Sequence, residues 1–140
     1  MDGDDYINGG SGASLITETG SIGFWLYRDD DTSDDFIFDG RGGTGGGFLY
    51  FGNGSDTVTV SGGTRYVDGT AATTATAATW HHIFVTGIAI NGDAGSLILG
   101  VAANLANYTE GTIGDVLGYN RTLSATEVAH IHRVTKYHFV

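Results

Sequence analysis

The stretch from Gly111 to Arg133, GTIGDVLGYNRTLSATEVAHIHR, constrains the fold more than any other. Thr112 to Tyr119 reads as a β-strand. Asn120, Arg121 and Thr122 then form a turn, and a short helix follows. Ser124 is placed to cap that helix. Glu127 lies three residues on, where its carboxylate reaches back to the Ser124 backbone, so the pair spells a capping box. Val128 and Ile131 make one apolar stripe at helical spacing. A short helix with a single stripe must dock on something, and the strand ahead of it belongs to a sheet.

The rest of the chain is a series of short β runs divided by turn clusters, which predicts an all-β sandwich or barrel. Ser21 to Tyr27 alternates, with Ile22, Phe24 and Leu26 on one face and Trp25 and Tyr27 on the other. Both faces are apolar, so both are expected to be covered. Phe36-Ile37-Phe38, Phe48 to Phe51, Thr57 to Val60 and Thr64 to Val67 read as further strands. Trp80 to Ile90 is the longest, and Asn91-Gly92-Asp93 is a hairpin signal leading into Ser96 to Val101. Ala71 to Thr79 reads as a small-residue edge strand or an extended surface segment. Tyr137 to Val140 reads as an apolar tail. With 24 glycines and no proline, turns fall to Gly, Asn and Asp, which reach positive φ most easily.

A chain of 140 residues is expected to form one domain, residues 1–140, with a core that needs no staples. There are no cysteines, which excludes disulfides and thiolate metal sites. Sixteen Asp+Glu against six Lys+Arg give a net charge of −10. That sign repels phosphate backbones and argues against nucleic-acid partners. It favours divalent cations or basic protein surfaces instead. Met1 leads into DGDDYINGG without a basic or long apolar segment, so neither a secretion signal of that kind nor a membrane span is expected.

Three motifs together resemble the laminin-G-like domains of the concanavalin A-like lectin/glucanase superfamily. They are the closing strand–YNR-x-LS-x-x-E–helix, the Trp80-His81-His82-Ile83-Phe84-Val85-Thr86 strand, and the opening Asp4-Asp5-Tyr6-Ile7 with Ser21-Ile22-Gly23-Phe24-Trp25-Leu26. The resemblance covers nearly the whole chain. It implies an antiparallel two-sheet β-sandwich of jelly-roll, concanavalin A-like type with one short C-terminal helix. It makes Trp25 and Trp80 core residues. It also makes Asp115 and Arg121 a buried or half-buried pair bracing the turn. The chain departs from many extracellular relatives in lacking a disulfide.

Hydrolases of the superfamily carry Glu-x-Asp-x-x-Glu on one strand, as acid and nucleophile across a sugar. Glu18, Glu110 and Glu127 fit no such spacing, so a non-catalytic protein is expected. Laminin-G-like relatives often hold calcium at a rim, and Asp29, Asp31 and Asp34 of the acidic loop offer the hard oxygen ligands that calcium takes. Asp39 and Asp68, each followed by glycine, are further candidates. His81 and His82 are adjacent on a strand and face opposite ways. His130 and His132 do not share a helix face, so no zinc pair is expected. Tyr50, Tyr66 and Tyr108, near Gly-rich loops, are the candidates for stacking on a sugar.

Two functions compete at this level. One is a virion structural or adhesion module, a capsid decoration or tail-associated protein of a bacteriophage. It would be assembled in the host cytoplasm, homo-oligomeric and bound to capsid or other virion proteins. The other is a carbohydrate-binding module, calcium-dependent, of a larger secreted protein acting outside the cell. Ala71 to Thr79 and Tyr137 to Val140 are the expected oligomer contacts.

Overall fold

A computed structural model of the chain describes residues 6–11, 19–40, 47–89, 96–101 and 107–139. The Asp4-Asp5 motif residues, Glu18, the Gly-rich run 41–46, the Asn91-Gly92-Asp93 turn and Val140 lie outside them.

Among the described residues ten strands form two antiparallel sheets. The first has the order β1 (Ile7–Ser11), β9 (Ser96–Leu99), β3 (Asp35–Asp39), β4 (Phe48–Phe51) and β5 (Val58–Val60). The second has the order β10 (Gly111–Tyr119), β2 (Thr19–Arg28), β8 (Trp80–Ala89), β6 (Thr64–Val67) and β7 (Thr70–Ala71). The architecture is therefore an all-β two-sheet sandwich. One helix, α1 (Ala125–Thr135), follows β10, and a 3-10 turn at Lys136–His138 follows the helix.

The inter-sheet core follows the period of two along β2, β8 and β4, and a register shift in β3 turns both Ile37 and Phe38 into it. Ile22, Phe24 and Leu26 of β2 and Ile83 and Val85 of β8 meet Ile37, Phe38, Leu49, Phe51 and Val58 of the facing sheet. Tyr66 of β6 and Phe84 of β8 face outward and are covered by Leu123 and Val128, with Tyr119 and Ile131 at the margin. This is a three-layer arrangement over the second sheet. It explains why β2 is apolar on both sides: Ser21, Trp25 and Tyr27 line a helix-covered face.

Two departures from regular pairing locate special backbone. Gly20 pairs with Ile88 and Ser21 with Thr86, so Gly87 is an extra residue, a bulge at φ +72° that glycine adopts freely. In β10, Gly114 pairs with Trp25 and Leu117 with Gly23, and Asp115 takes the left-handed position at φ +44°. A short polar side chain is the usual non-glycine occupant there. The β6–β7 hairpin is a two-residue Asp68-Gly69 turn with both residues at positive φ (51° and 77°). Asp-Gly is the sequence such a turn favours.

Ala71 to Thr79 is a mostly exposed surface segment that begins on the edge strand of the second sheet. Only Thr70–Ala71 pair as a strand. The chain then crosses to the other sheet, where Thr74 bridges Thr57 and the Ala75 N–H donates to Asp56 O at 2.8 Å. Ala75 is buried in the core, so the segment closes one side of the sandwich.

Candidate functional site

Helix α1 begins as the capping box requires. The Glu127 N–H donates to Ser124 Oγ, and the Ser124 N–H donates to Glu127 Oε2 at 2.8 Å. Ser21 Oγ, buried on β2, donates to Arg121 O and accepts from the Leu123 N–H, both at 2.9 Å. One hydroxyl thus fixes the turn to the sheet. Arg121 does not pair with Asp115. Its Nη2 lies 2.6 Å from Glu127 Oε1, with both side chains exposed. Asp115 is the bulge residue, also exposed, 3.7 Å from His138 Nδ1. The bulge turns Asp115 away from the turn, and the cap glutamate takes the arginine. Hydrogen bonds from Arg121 and then from Ser124 pull the Glu127 carboxyl down to about 2.

Under the helix lies a cluster that neither spacing nor motif announced. Trp25 is 1% exposed and His82 is fully buried. The Trp25 ring sits 5.2 Å from His82, 5.5 Å from His132 and 4.8 Å from Phe139, stacked on the last two. His82 and His132 are 5.5 Å apart, centroid to centroid. The Trp25 indole N–H donates to Thr135 Oγ1 at 2.9 Å. Among the described residues, both ring nitrogens of His82, and Nδ1 of His132, are buried without a hydrogen-bond partner. Burial, and then the nearby His132, push the His82 imidazole down to about 4. Trp80 is half-buried rather than a core residue. It packs on Tyr27 and on Phe139, so the C-terminal tail covers both tryptophans instead of standing free. Tyr137 is 75% exposed.

A second buried polar centre lies between the sheets. Arg28 ends β2 on the inward side, 2% exposed. Its Nη2 donates to Asp56 Oδ1 and Ala75 O, both at 2.9 Å, and its Nη1 is 3.6 Å from Asp35 Oδ2. The guanidinium also lies 3.9 Å above the Phe51 ring. Asp35 Oδ1 accepts the Glu110 N–H at 3.1 Å. Burial raises the Asp35 carboxyl to about 6 against these favourable contacts. Arg28 continues the inward alternation of Ile22, Phe24 and Leu26, which was the available signal for a buried arginine.

The calcium candidates are not brought together. Among the described residues no group of three or more His, Cys, Asp or Glu side chains is placed to hold a metal ion. Asp29, Asp31 and Asp34 are exposed, and Asp34 Oδ1 accepts the Asn53 N–H from the turn after β4 at 2.8 Å. Asp39 is fully buried at the end of β3. Asp68 lies in the other sheet, 2.7 Å from His81 Nδ1 and accepting the His82 N–H at 2.9 Å. Burial works upward on its carboxyl, but these hydrogen bonds prevail and lower it. Asp68 is thereby a hairpin-to-strand clasp, remote from the acidic loop. His81 and His82 face opposite ways, as the strand period requires.

The tyrosine candidates also separate. Tyr66 is 8% exposed beneath the helix and packs there instead of lining a ligand surface. Tyr108 is half-buried, 6.5 Å from Tyr6. Tyr50 is half-buried on the outer side of β4, stacked on Phe36 at 4.8 Å and 5.9 Å from Phe48. A groove of ≈ 690 Å³ runs beside the helix, floored by Tyr119, Leu123 and Ile131 and rimmed by Arg121, His130 and Arg133. No described helix is long and apolar enough to cross a membrane. Comparison with protein-family models, curated proteins and solved structures found no match.

Proposed function

We propose that the chain is a non-catalytic structural and adhesion module of a virus particle, a bacteriophage capsid decoration or tail-associated protein. In this reading residues 1–140 are one laminin-G-like, concanavalin A-like domain. One observation carries the reading: the closing strand and capped helix, which hold the resemblance, are pinned into the sandwich by the buried Ser21 hydroxyl. A net charge of −10 favours basic capsid surfaces as partners and disfavours nucleic acid. A cysteine-free sandwich suits assembly in a reducing host cytoplasm. Closed symmetry is the norm for homo-oligomers, and exposed Val134 and Tyr137 at the helix end are the apolar contacts offered. Mass spectrometry of gradient-purified particles tests this. High copy number per particle supports it, and absence from any particle overturns it.

The Phe36–Tyr50–Phe48 strip favours a second reading, an extracellular carbohydrate-binding module. Half-buried Phe48 and Tyr50, backed by buried Phe36, form an aromatic face that suits sugar stacking. Asp29, Asp31 and Asp34 supply the calcium candidates of this reading. A glycan array with and without calcium tests it. Binding lost in Tyr50→Ala supports it, and an array without hits removes it.

A further inference from the structure

The seam between helix α1 and the second sheet holds an arrangement whose chemistry the proposed function does not use. His82 is fully buried with both ring nitrogens unpartnered, directly against Trp25, Phe84 and His132. An unpartnered polar group in an apolar seam costs free energy even when neutral, and its charged form costs far more. Leucine or phenylalanine would fill the same space without that cost.

We propose that His82 and His132 form an acid-operated release for helix α1 and the tail behind it, which swing off the sheet when the imidazoles take up protons. Protonation would put a cation with no acceptor into the seam, facing a second cation on His132. The helix is the element that yields. It has eleven residues, a length marginal in isolation, and a short apolar contact made by Leu123, Val128 and Ile131. β8, by contrast, is paired along its length to β2 on one side and to β6 on the other.

The charges around the seam favour release. From α1, His132 faces His82, with Lys136 one turn further on, and both oppose a proton on their neighbour. From the β6–β7 turn, Asp68 is the carboxylate nearest the site. It attracts a proton to His82 but is already engaged by His81 Nδ1 and the His82 N–H. His81 lies on the opposite face of β8. β2 contributes uncharged Trp25, and the tail contributes Phe139, while His138 sits beside Asp115. On the helix's other side His130 and Arg133 contact each other at 3.0 Å.

The sign is fixed by burial. His82 is held below its ordinary value, so the closed form is fully favoured above about pH 6.5 and loses ground as pH falls towards about 4. The sandwich behaves oppositely at its other buried centre. Asp35 is held above its ordinary value, so its contribution grows as pH falls through about 6. Acid therefore loosens the cover while the layer beneath is retained. Release would uncover Trp25, Phe84 and Tyr66, an aromatic face large enough to engage an apolar partner.

Amide hydrogen exchange of the full chain from about pH 7 down to about pH 4.5, corrected for intrinsic rates, tests the release, with tryptophan emission as a second readout. Linkage of one proton allows up to about tenfold loss of protection per pH unit. The expected result is loss in α1 on the order of tenfold or more, with a red shift in emission, while β2 and β8 stay protected. His82→Phe should keep α1 protected throughout. His82→Leu serves if the phenylalanine variant does not fold at neutral pH. The proposal is overturned if α1 stays protected in acid, if β2 and β8 lose protection together with it, or if the variant opens at the same pH as the wild type.

Discussion

The two buried polar centres solve one problem in opposite ways. Arg28 is buried between the sheets and remains charged, because two carboxylates, a carbonyl and an aromatic face surround its guanidinium. His82 is buried between sheet and helix and remains neutral, because among the described residues no group accepts from or donates to its ring. Burial of an ion is tolerated where partners converge from several segments. Burial of a titratable ring without partners is tolerated only in its uncharged form. The first arrangement locks β2 to β3 and to the segment carrying Ala75. The second leaves its element attached conditionally.

The largest test of the contrast is to break the locked centre. Arg28→Ala leaves Asp35 buried without its cation and should lower unfolding free energy by about 3–5 kcal/mol. Urea denaturation measures it. Arg28→Met with Asp35→Asn should recover most of that loss, because no uncompensated charge stays inside. A double variant no better than Arg28→Ala would show that packing on Phe51, rather than charge, is what Arg28 supplies.

The pH dependence separates the centres directly. Asp35, raised to about 6, gains stability as pH falls from about 6 towards its unfolded value. His82, lowered to about 4, loses stability over nearly the same window. Each shift corresponds to roughly 3 kcal/mol at its limit, so the two largely cancel in the wild type. Asp35→Asn should therefore lose up to about 3 kcal/mol more than the wild type between about pH 6.5 and pH 4. His82→Phe should lose correspondingly less, or gain. Denaturation midpoints across that range check the signs, and parallel curves for all three proteins would refute the assignment. The other lowered groups, His132, Asp30, Asp68 and Glu127, each add acid loss but are common to all three proteins.

A smaller effect probes the tail. Phe139 stacks on Trp25 and packs on Trp80, so Phe139→Ala should cost about 1–2 kcal/mol and shift tryptophan emission to the red. Tyr137→Ala, at a 75% exposed position, should leave both readouts unchanged. Equal effects would return the tail to a single apolar surface, as its sequence suggests.

What the sequence made legible was local. The alternation of Ile22, Phe24 and Leu26 fixes the inward face of β2 because side chains of a strand alternate strictly. Ser124 and Glu127 declare the helix start because their partners lie within one turn. The Asp68-Gly69 turn carries an equally local signal, Asp-Gly between two strands, which sequence reasoning missed. The partners that meet at the buried centres were illegible for the opposite reason. Arg28, Asp35, Asp56 and Ala75 meet across both sheets, and His82 and His132 across a strand and a helix. Asp35 closes a run of solvated aspartates, and only its pairing opposite Phe51 carries it inside. Tyr66 adjoins a glycine turn, like a loop tyrosine, but its strand parity turns it towards α1. Asp115 and Arg121 were matched by motif alone. The extra residue in β10 reverses the parity that a pairing would need.

The smallest predicted effect falls where motif and structure disagree. The Arg121–Glu127 pair is short but exposed on both sides, and exposed ion pairs contribute little against the entropy of holding two long side chains. The cap hydroxyl does more, because it satisfies a helix N–H that has no partner within the helix. Ser124→Ala should therefore lower stability by about 1 kcal/mol. Arg121→Ala should be indistinguishable from the wild type in denaturant, although it removes two hydrogen bonds. In the double variant the Arg121 change should add nothing, since Glu127 still reaches the Ser124 N–H through its own carboxylate. A larger loss for Arg121→Ala than for Ser124→Ala would mean that the arginine, and not the cap, holds the turn against the sheet.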